Sequence, residues 1–449
     1  MFKSAENSDV NAIKAIRVIR KLGNKNAYEF ADLWKGFAAG NARQGKKEVV
    51  MGDRLSGTII TAAVAAAAVS TVVATPITQT FAQTPAASGA VPKTSWGEPD
   101  LQGIWTDEFD TALQRPAQLA NQEFFTEAQR AELDKTRLAT LNRFATEREI
   151  NGAYNRATFR STKRTGARTS KIVDPPNGRL PPLTAEAQKT AATHQAFRLA
   201  LLQSTATCKD KLLACAGGHY EPAASPRRAE TAPHYNTVRM NRNDGPEDSS
   251  LPERCLTGGL PEFGIDTGSF RRIVQTPGGI SMYYDVGQGQ GWQRNIVMDG
   301  SPHLRPGIRQ WFGDSRGHWD GNTLVVDVTN FSPKTDAFGS RENLHLIERW
   351  TRTGPTTLAY EVTVEDPTVW TQPWTVKQEL SKQSDQENRI YTEPRCIEGN
   401  YGLPGLLHGR RVEEAAFAEG RGPDPAAIDN TNDALLTLTE RPPRDPLQQ

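Results

Sequence analysis

The feature that most constrains this chain is a run of short segments from Phe270 to Leu380 in which the side-chain period is two. Arg271-Arg-Ile-Val-Gln-Thr reads as a strand, Pro277-Gly-Gly as a turn, and Ile280-Ser-Met-Tyr-Tyr-Asp as the returning strand. Trp292 to Met298 follows, closed by Asp299-Gly300, and then Ile308 to Phe312, Thr323 to Thr329, Leu344 to Arg352, Leu358 to Val364 and Trp374 to Leu380. Successive side chains of a strand point to opposite faces, so each segment can bury one face only. Short strands at near-regular spacing, with no helices between them, predict an antiparallel barrel or sandwich. The 37 Gly and 29 Pro residues supply the turns that such a fold requires.

Within this region Gly313-Asp-Ser-Arg-Gly317 matches the G-x-S-x-G pattern of a hydrolase nucleophile elbow. An elbow needs a helix directly after the serine. Here Asp320-Gly321 is a hairpin signal and Thr323 to Thr329 is rich in β-branched residues, so Ser315 reads as a turn residue and not a nucleophile. Gly287-Gln-Gly-Gln-Gly291 lies between strands and opens no helix, which excludes a dinucleotide loop.

Upstream, Thr126-Glu-Ala-Gln has the character of a helix cap and leads into a helical stretch to about Arg148. A second helix is expected from Thr184 to about Ser204. Residues 51–83 have a basic start, an Ala/Val-rich core and small residues near Ala82, the pattern of a secretory signal peptide. Residues 1–50 then read as an upstream extension, disordered or helical, and 84–100 as a linker. The competing reading is a membrane anchor preceded by a cytoplasmic segment. The weak apolar character of the run and Pro76 argue for cleavage, and hence for a periplasmic or secreted protein with no stable membrane anchor. In an oxidising compartment the four cysteines favour disulfides, Cys208 with Cys215 across a short loop and Cys255 with Cys396.

Lys and Arg total 53 against 52 Asp and Glu, so no broad field points to nucleic acid. Strand parity gives a better lead to chemistry. One face of Leu344 to Trp350 carries Leu344, Leu346, Glu348 and Trp350, and one face of the next strand carries Leu358, Tyr360, Val362 and Val364 and continues to Asp366. If these faces are interior, each acid must be paired, protonated or catalytic. Two such acids with separated pKa values can divide acid and base roles. Two alternatives stay open: Glu348 bound to an arginine such as Arg316 or Arg294 as a structural lock, or the opposite face inward, with His345 and Arg349. Asp299 and His303 lie in a Pro-flanked loop at a strand end, with His303 the histidine of first interest. Arg316, Trp319, His345, Arg349 and Tyr360 are candidate binding residues. No H-x-H or H-E-x-x-H spacing suggests a metal, and no cofactor is expected. Trp292, Trp311, Trp319, Trp350, Trp370 and Trp374 crowd the β region, which suits an apolar or aromatic ligand if some line a pocket.

The segments DLQGIW, DGSPH, GDSRGHWDGNTLVVDVTNF, ENLHLIERWTR, YEVTVEDPTVWTQPW and CIEGNYGL together resemble a group of exported, functionally uncharacterised bacterial proteins, over about Asp100 to Gly409. Gly103-Ile104-Trp105 is similar to the G-x-W that opens the lipocalin barrel. The expectation is therefore a mainly β protein: an antiparallel lipocalin-like barrel over 251–400, with a helical and irregular N-terminal part over 101–250 packed on it and a wrapping tail over 401–449. Two functions compete. One is a cofactor-free lyase, isomerase or hydrolase for a small apolar or aromatic molecule, with Glu348 and Asp366 as acid and base, His303 assisting, and Tyr360 or Arg349 orienting substrate. The other is a periplasmic binding or carrier protein that uses the same pocket without catalysis.

Overall fold

The computed structural model describes residues 91–146, 163–251, 253–256, 259–263, 270–285, 291–384 and 401–431. The short strands come first in the chain: β1 (Gly103–Thr106), β2 (Phe109–Asp110), β3 (Arg164–Thr165) and β4 (Ile172–Asp174). The longer ones follow as β5 (Phe270–Thr276), β6 (Gly279–Asp285), β7 (Gly291–Val297), β8 (Asp314–Asp320), β9 (Thr323–Thr329), β10 (His345–Arg352), β11 (Thr357–Glu365) and β12 (Trp374–Lys382). The helices are α1 (Glu127–Thr146), α2 (Ala185–Leu202), the single turn α3 (Ala206–Lys209) and α4 (Gly402–Ala418).

Nine strands close a ring in the order β1, β5, β6, β7, β8, β9, β10, β11, β12. β12 returns to β1 with Lys382 opposite Trp105 and Ser381 opposite Thr106, while the other edge of β1 pairs with β5, Gly103 facing Ile273. β4 takes the remaining part of the same edge of β12, with Asp174 opposite Thr375. Closure pairs most strand edges, which reduces the usual liability of an exposed sheet, and the narrowest seams of the ring are β7–β8 and β1–β12, each joined over two residue pairs. The closing strand comes from the G-x-W segment, within the part of the chain expected to be helical and irregular.

The barrel is mixed in direction and not purely antiparallel. β7 and β8 run parallel, with Ile296 opposite Ser315 and Val297 opposite Arg316. Parallel neighbours need a connection long enough to return to the starting end. Residues 298–313 provide it, whereas β5–β6 and β8–β9 reverse through tight turns. Ile308 to Phe312 belongs to this connection and is not a strand: Gln310 makes one isolated bridge to Phe331, and Ile308 is exposed.

Ser315, expected as a turn residue, lies within the strand β8 (Asp314–Asp320). The bends lie on either side of it, at Gly313 (φ 64°) and Gly321 (φ 60°), a left-handed conformation that glycine adopts without steric cost. Ser315 is buried within the strand and no helix follows it, so the nucleophile elbow is excluded.

Burial follows the period of two. On β10, Leu346, Glu348, Trp350 and Arg352 are buried and the residues between them are not. On β11 the inward set is Leu358, Tyr360, Val362 and Val364, and on β12 Trp374, Val376, Gln378 and Leu380. The apolar and aromatic side chains of this set join Trp105, Ile273, Met282, Tyr284, Ile296 and Val326 in one continuous core. The reading that put His345 and Arg349 inward is corrected here, because the large apolar side chains sit at the other parity.

α1 begins with a reciprocal cap. Thr126 Oγ1 accepts from the Gln129 amide at 3.2 Å, and Gln129 Oε1 accepts from the Thr126 amide at 2.8 Å. Thr184 caps α2 by accepting from the Ala187 amide at 3.2 Å. α4 lies in the segment expected to be a wrapping tail. Pro404 in its first turn costs no helical hydrogen bond, and buried Arg410 donates to the Pro425 carbonyl at 2.9 Å. Cys208 and Cys215 form a disulfide, which fits an oxidising compartment. Cys255 is disulfide-bonded as well, and Cys396, its expected partner, lies outside the described residues. The expected extension (1–50) and signal segment (51–83) lie outside them too. Among the described residues no helix is long and apolar enough to cross a membrane.

Candidate functional site

Most of the expected site residues fall into two groups, one inside the barrel and one on its outer wall. The inner group forms because the inward parity of β5, β7, β10 and β11 delivers Arg271, Arg294, Glu348 and Tyr360 to the same space. Glu348 is fully buried. Its Oε1 accepts from the Tyr360 hydroxyl at 2.8 Å, and its Oε2 is paired with Arg294 Nη2. Arg271, also fully buried, donates through Nη2 to both the carbonyl and the carboxylate of Glu262 at 2.6 Å.

Aromatic rings surround these charges. The Arg271 guanidinium lies 5.8 Å from the Tyr284 ring, 5.9 Å from Trp350 and 5.8 Å from Tyr360. Arg294 lies 5.9 Å from Tyr284, and the Trp350 and Tyr360 rings are 4.1 Å apart. Each guanidinium over a ring face gains a cation–π attraction that water does not weaken here. Burial pushes the Tyr284 hydroxyl up to about 12. It also raises Tyr360 well above its ordinary value, helped by the Glu348 charge, so both phenols stay neutral donors. For Arg294 burial opposes the charge, but the attractions led by the Glu348 carboxylate outweigh it and its pKa is raised.

The centre is charge-balanced yet not satisfied. Among the described residues, Nε and Nη1 of Arg271, Nε and Nη1 of Arg294, the Trp350 indole N–H and the Gln378 amide have no hydrogen-bond partner. A buried donor without an acceptor costs about 1–3 kcal/mol, more when charged. Four guanidinium N–H-bearing atoms in this condition around one set of rings is the unusual feature of the interior.

Asp366 is not brought to Glu348. Glu348 stands opposite Val362 in the β10–β11 register, and Asp366 follows the last residue of β11. It is buried as a turn anchor: Oδ2 accepts from the Ser340 hydroxyl at 2.6 Å and Oδ1 from the Thr368 amide at 2.9 Å.

The outer group gathers His303, Arg316 and His345 with three acids that sequence reasoning missed. His303 Nδ1 lies 2.8 Å from Asp314 Oδ2 and its Nε2 lies 3.1 Å from Asp327 Oδ1. His345 Nε2 lies 3.2 Å from the same Asp327 oxygen, and its Nδ1 lies 3.0 Å from Glu365 Oε2. Arg316 grips Asp314 through Nε at 3.1 Å and Nη2 at 3.0 Å and reaches Ser301 Oγ at 2.6 Å. Asp299 is exposed and accepts from the Ser301 amide at 2.9 Å. The row thus crosses β8, β9, β10 and β11 on their outward parity. Hydrogen bonding to Asp327 raises the His345 pKa, with Glu365 adding to it, and the same bond from His345 holds Asp327 below its ordinary value. Burial opposes ionisation of Asp314, but hydrogen bonds led by Arg316 hold its carboxyl low.

The two remaining residues join neither group. Arg349 makes an exposed ion pair with Asp320 at 2.9 Å, and Trp319 packs half-buried against the edge of the core. The missed acids had a signal, since Asp327 is the lone charge in Thr323-Leu-Val-Val-Asp-Val-Thr. Arg271 and Arg294 likewise fall at the parity of apolar neighbours.

The molecule is thus a closed nine-strand β-barrel with an ionic, aromatic-lined centre, and its fold is compatible with a small-molecule partner. No family model matches the chain, and no curated protein matches it. The motifs quoted above therefore remain a resemblance. Among solved structures the chain is similar to a secretary abundant heat soluble (SAHS) protein from Ramazzottius varieornatus, at 14% identity and a TM-score of 0.20, over 30% of this chain and 82% of that one. The barrel described here rests on its strand pairings and not on that likeness.

Proposed function

We propose that this protein is an exported binding or carrier protein for a small, flat, apolar or aromatic molecule that bears hydrogen-bond-accepting oxygen. The observation that carries the reading is the set of unpartnered N–H groups on Arg271 and Arg294 among the rings of Tyr284, Trp350 and Tyr360. A ligand oxygen in that space would satisfy charged donors that otherwise lie buried without acceptors, and its apolar body would stack on the rings. The charge balance between Arg271 and Arg294 on one side and Glu262 and Glu348 on the other favours a neutral acceptor over a strongly anionic one.

The geometry supports binding over acid/base catalysis. Both oxygens of Glu348 are engaged, one by Tyr360 and one by Arg294, and Asp366 is committed to its turn. Neither carboxylate faces a proton that it could take from substrate. The test is a fluorescence titration of the mature protein with aromatic ketones, amides and esters, compared with the Arg271→Lys variant. Lysine keeps the charge beside Glu262 and deletes the planar fork, so affinity should fall about tenfold or more, one to two charged hydrogen bonds at about 1.5–3 kcal/mol each. Equal affinity in the variant, or saturable turnover of any of these compounds that disappears in Glu348→Gln, would refute it.

A further inference from the structure

We propose that the Phe338–Gly339 turn is the door to the barrel interior, with the Phe338 ring as its leaf: a small flat aromatic guest passes where that ring now lies. The inference rests on the interior reading above and adds the route and the residue that controls it. Two backbone bonds define the turn. The Ala337 amide donates to the Ser340 carbonyl at 2.8 Å, and the Ser340 amide donates to the Ala337 carbonyl at 3.1 Å. Both residues between them have positive φ, 56° at Phe338 and 100° at Gly339. A two-residue turn of this kind takes Asn, Asp or Gly at its first position, and a bulky side chain in the left-handed region is an outlier. Such strain clusters at ligand clamps and switch regions, where the task of the side chain overrides the preference of the backbone.

The surroundings of the ring define that task. Phe338 lies 5.7 Å from the Trp374 ring, edge-on at 81°, and 6.1 Å from Phe263. Trp374, which also meets Trp370 at 5.5 Å, is fully buried, while Phe338 is 44% exposed. Phe338 is thus the outer layer over an inner aromatic one. Among the described residues the Trp374 indole N–H has no hydrogen-bond partner, so an entering ligand oxygen meets a free donor there. Phe263 is next in the chain to Glu262, which holds Arg271 Nη2 through both its carbonyl and its carboxylate. The cover therefore adjoins the guanidinium to which the guest is assigned.

Polar bonds fix the frame around the turn. Ser340 Oγ donates to Asp366 Oδ2 at 2.6 Å, Asp336 pairs with Arg341 at 3.2 Å, and the Phe263 carbonyl accepts from Lys171 Nζ. The leaf itself is held by ring contacts, which a side-chain rotation breaks at no cost in hydrogen bonds. The other end of the barrel is bolted. In the register of β10, β11 and β12, Leu346, Val364 and Trp374 share one end, and Arg352, Leu358 and Leu380 share the other. There Arg352 donates to the carbonyls of Asp100, Gly354 and Pro355. The Leu101 amide donates to Gln275 Oε1, and Gln275 Nε2 donates to the Pro99 carbonyl. Opening that end breaks charged hydrogen bonds, whereas opening the Phe338 end breaks ring contacts alone.

The experiment is stopped-flow mixing of the full chain with prodan, a flat neutral aromatic ketone whose fluorescence reports its surroundings. Hydrogen exchange of the Trp374 indole proton, followed by NMR, is a second readout that needs no ligand. Asparagine tolerates the left-handed conformation, so Phe338→Asn removes the leaf and keeps the turn. In that variant association and dissociation should both quicken at least about fivefold while Kd moves less than about threefold, because a cover sets the barrier and not the end states. Phe338→Trp enlarges the leaf and should slow both rates, which carries the test if the asparagine variant is unstable. The Trp374 indole proton should exchange at least about tenfold faster in Phe338→Asn at an unchanged urea midpoint. A change confined to dissociation would make Phe338 a wall of the site, and rates and exchange left as they were would make it a structural ring; either result overturns the proposal. Failure of prodan to bind the unsubstituted protein would count against the interior reading instead, and the indole exchange would still decide whether the door opens.

Discussion

Replacing Glu348 by Gln removes one charge and almost no volume, so it isolates the electrostatic role of the barrel centre. The Arg294 side chain is 2% exposed and Glu348 is its only carboxylate partner among the described residues. Removing one member of a buried pair leaves an uncompensated charge, which costs about 3–5 kcal/mol. The Tyr360 hydroxyl can still donate to the amide oxygen, so its bond, worth about 1 kcal/mol, should be largely kept. The expected loss of about 3–5 kcal/mol is a large part of the 5–15 kcal/mol typical of a domain. Urea unfolding followed by the fluorescence of the nine tryptophans reads it directly. The double variant Glu348→Gln/Arg294→Met should recover most of the loss, because replacing both charges by neutral groups of similar volume is often close to neutral. A single-variant cost below about 1 kcal/mol, or a double variant as unstable as the sum of its parts, would refute the claim that this pair is a mutually dependent buried unit.

Ser315→Ala should leave stability unchanged or slightly raised in urea unfolding, because among the described residues the buried Ser315 hydroxyl has no hydrogen-bond partner; a loss above about 1 kcal/mol would contradict this reading. Gly313→Ala should lower the unfolding midpoint clearly, since the new Cβ would stand 2.5 Å from the Thr329 carbonyl at a φ of 64°. Gly321→Asn, at a φ of 60° in open space, should cost much less. His194 stacks on His234 at 4.2 Å, and burial first, then the charge of His234, depresses its pKa from 6.5 to about 4. The unfolded chain therefore takes up the proton first. This contribution to stability is complete above pH 6.5 and lost as pH falls from there toward 4, and His194→Gln should flatten that part of the stability profile.

The barrel was largely legible because a period of two, interrupted by turn residues, survives without any tertiary information. β9, β10, β11 and β12 fall within two residues of where alternation puts them. Parity also oriented Glu348 and Tyr360 correctly toward the interior. Direction was not legible: residues 298–313 have the composition of any loop, and only the path of the chain shows that they return to make β7 and β8 parallel. β8 itself was hidden because Gly313, Ser315 and Gly317 look like turn residues, although Gly317 is there for close packing, with a Cβ at that position falling 2.5 Å from Met298 Sδ. Glu348 with Asp366 was a reasonable pairing by parity that failed because the strand ends before Asp366. The outer row of histidines and acids joins residues from four strands and a loop, and no one-dimensional spacing encodes such a contact.

Native mass spectrometry of the gently purified protein, set against Arg271→Lys, tests the reading of the interior most directly. A small organic adduct of one mass on the unsubstituted protein, reduced severalfold in the variant, is the predicted result. A protein that carries no adduct, or one retained equally by both, would mean that the barrel centre is a self-contained ionic core and not a place for a guest.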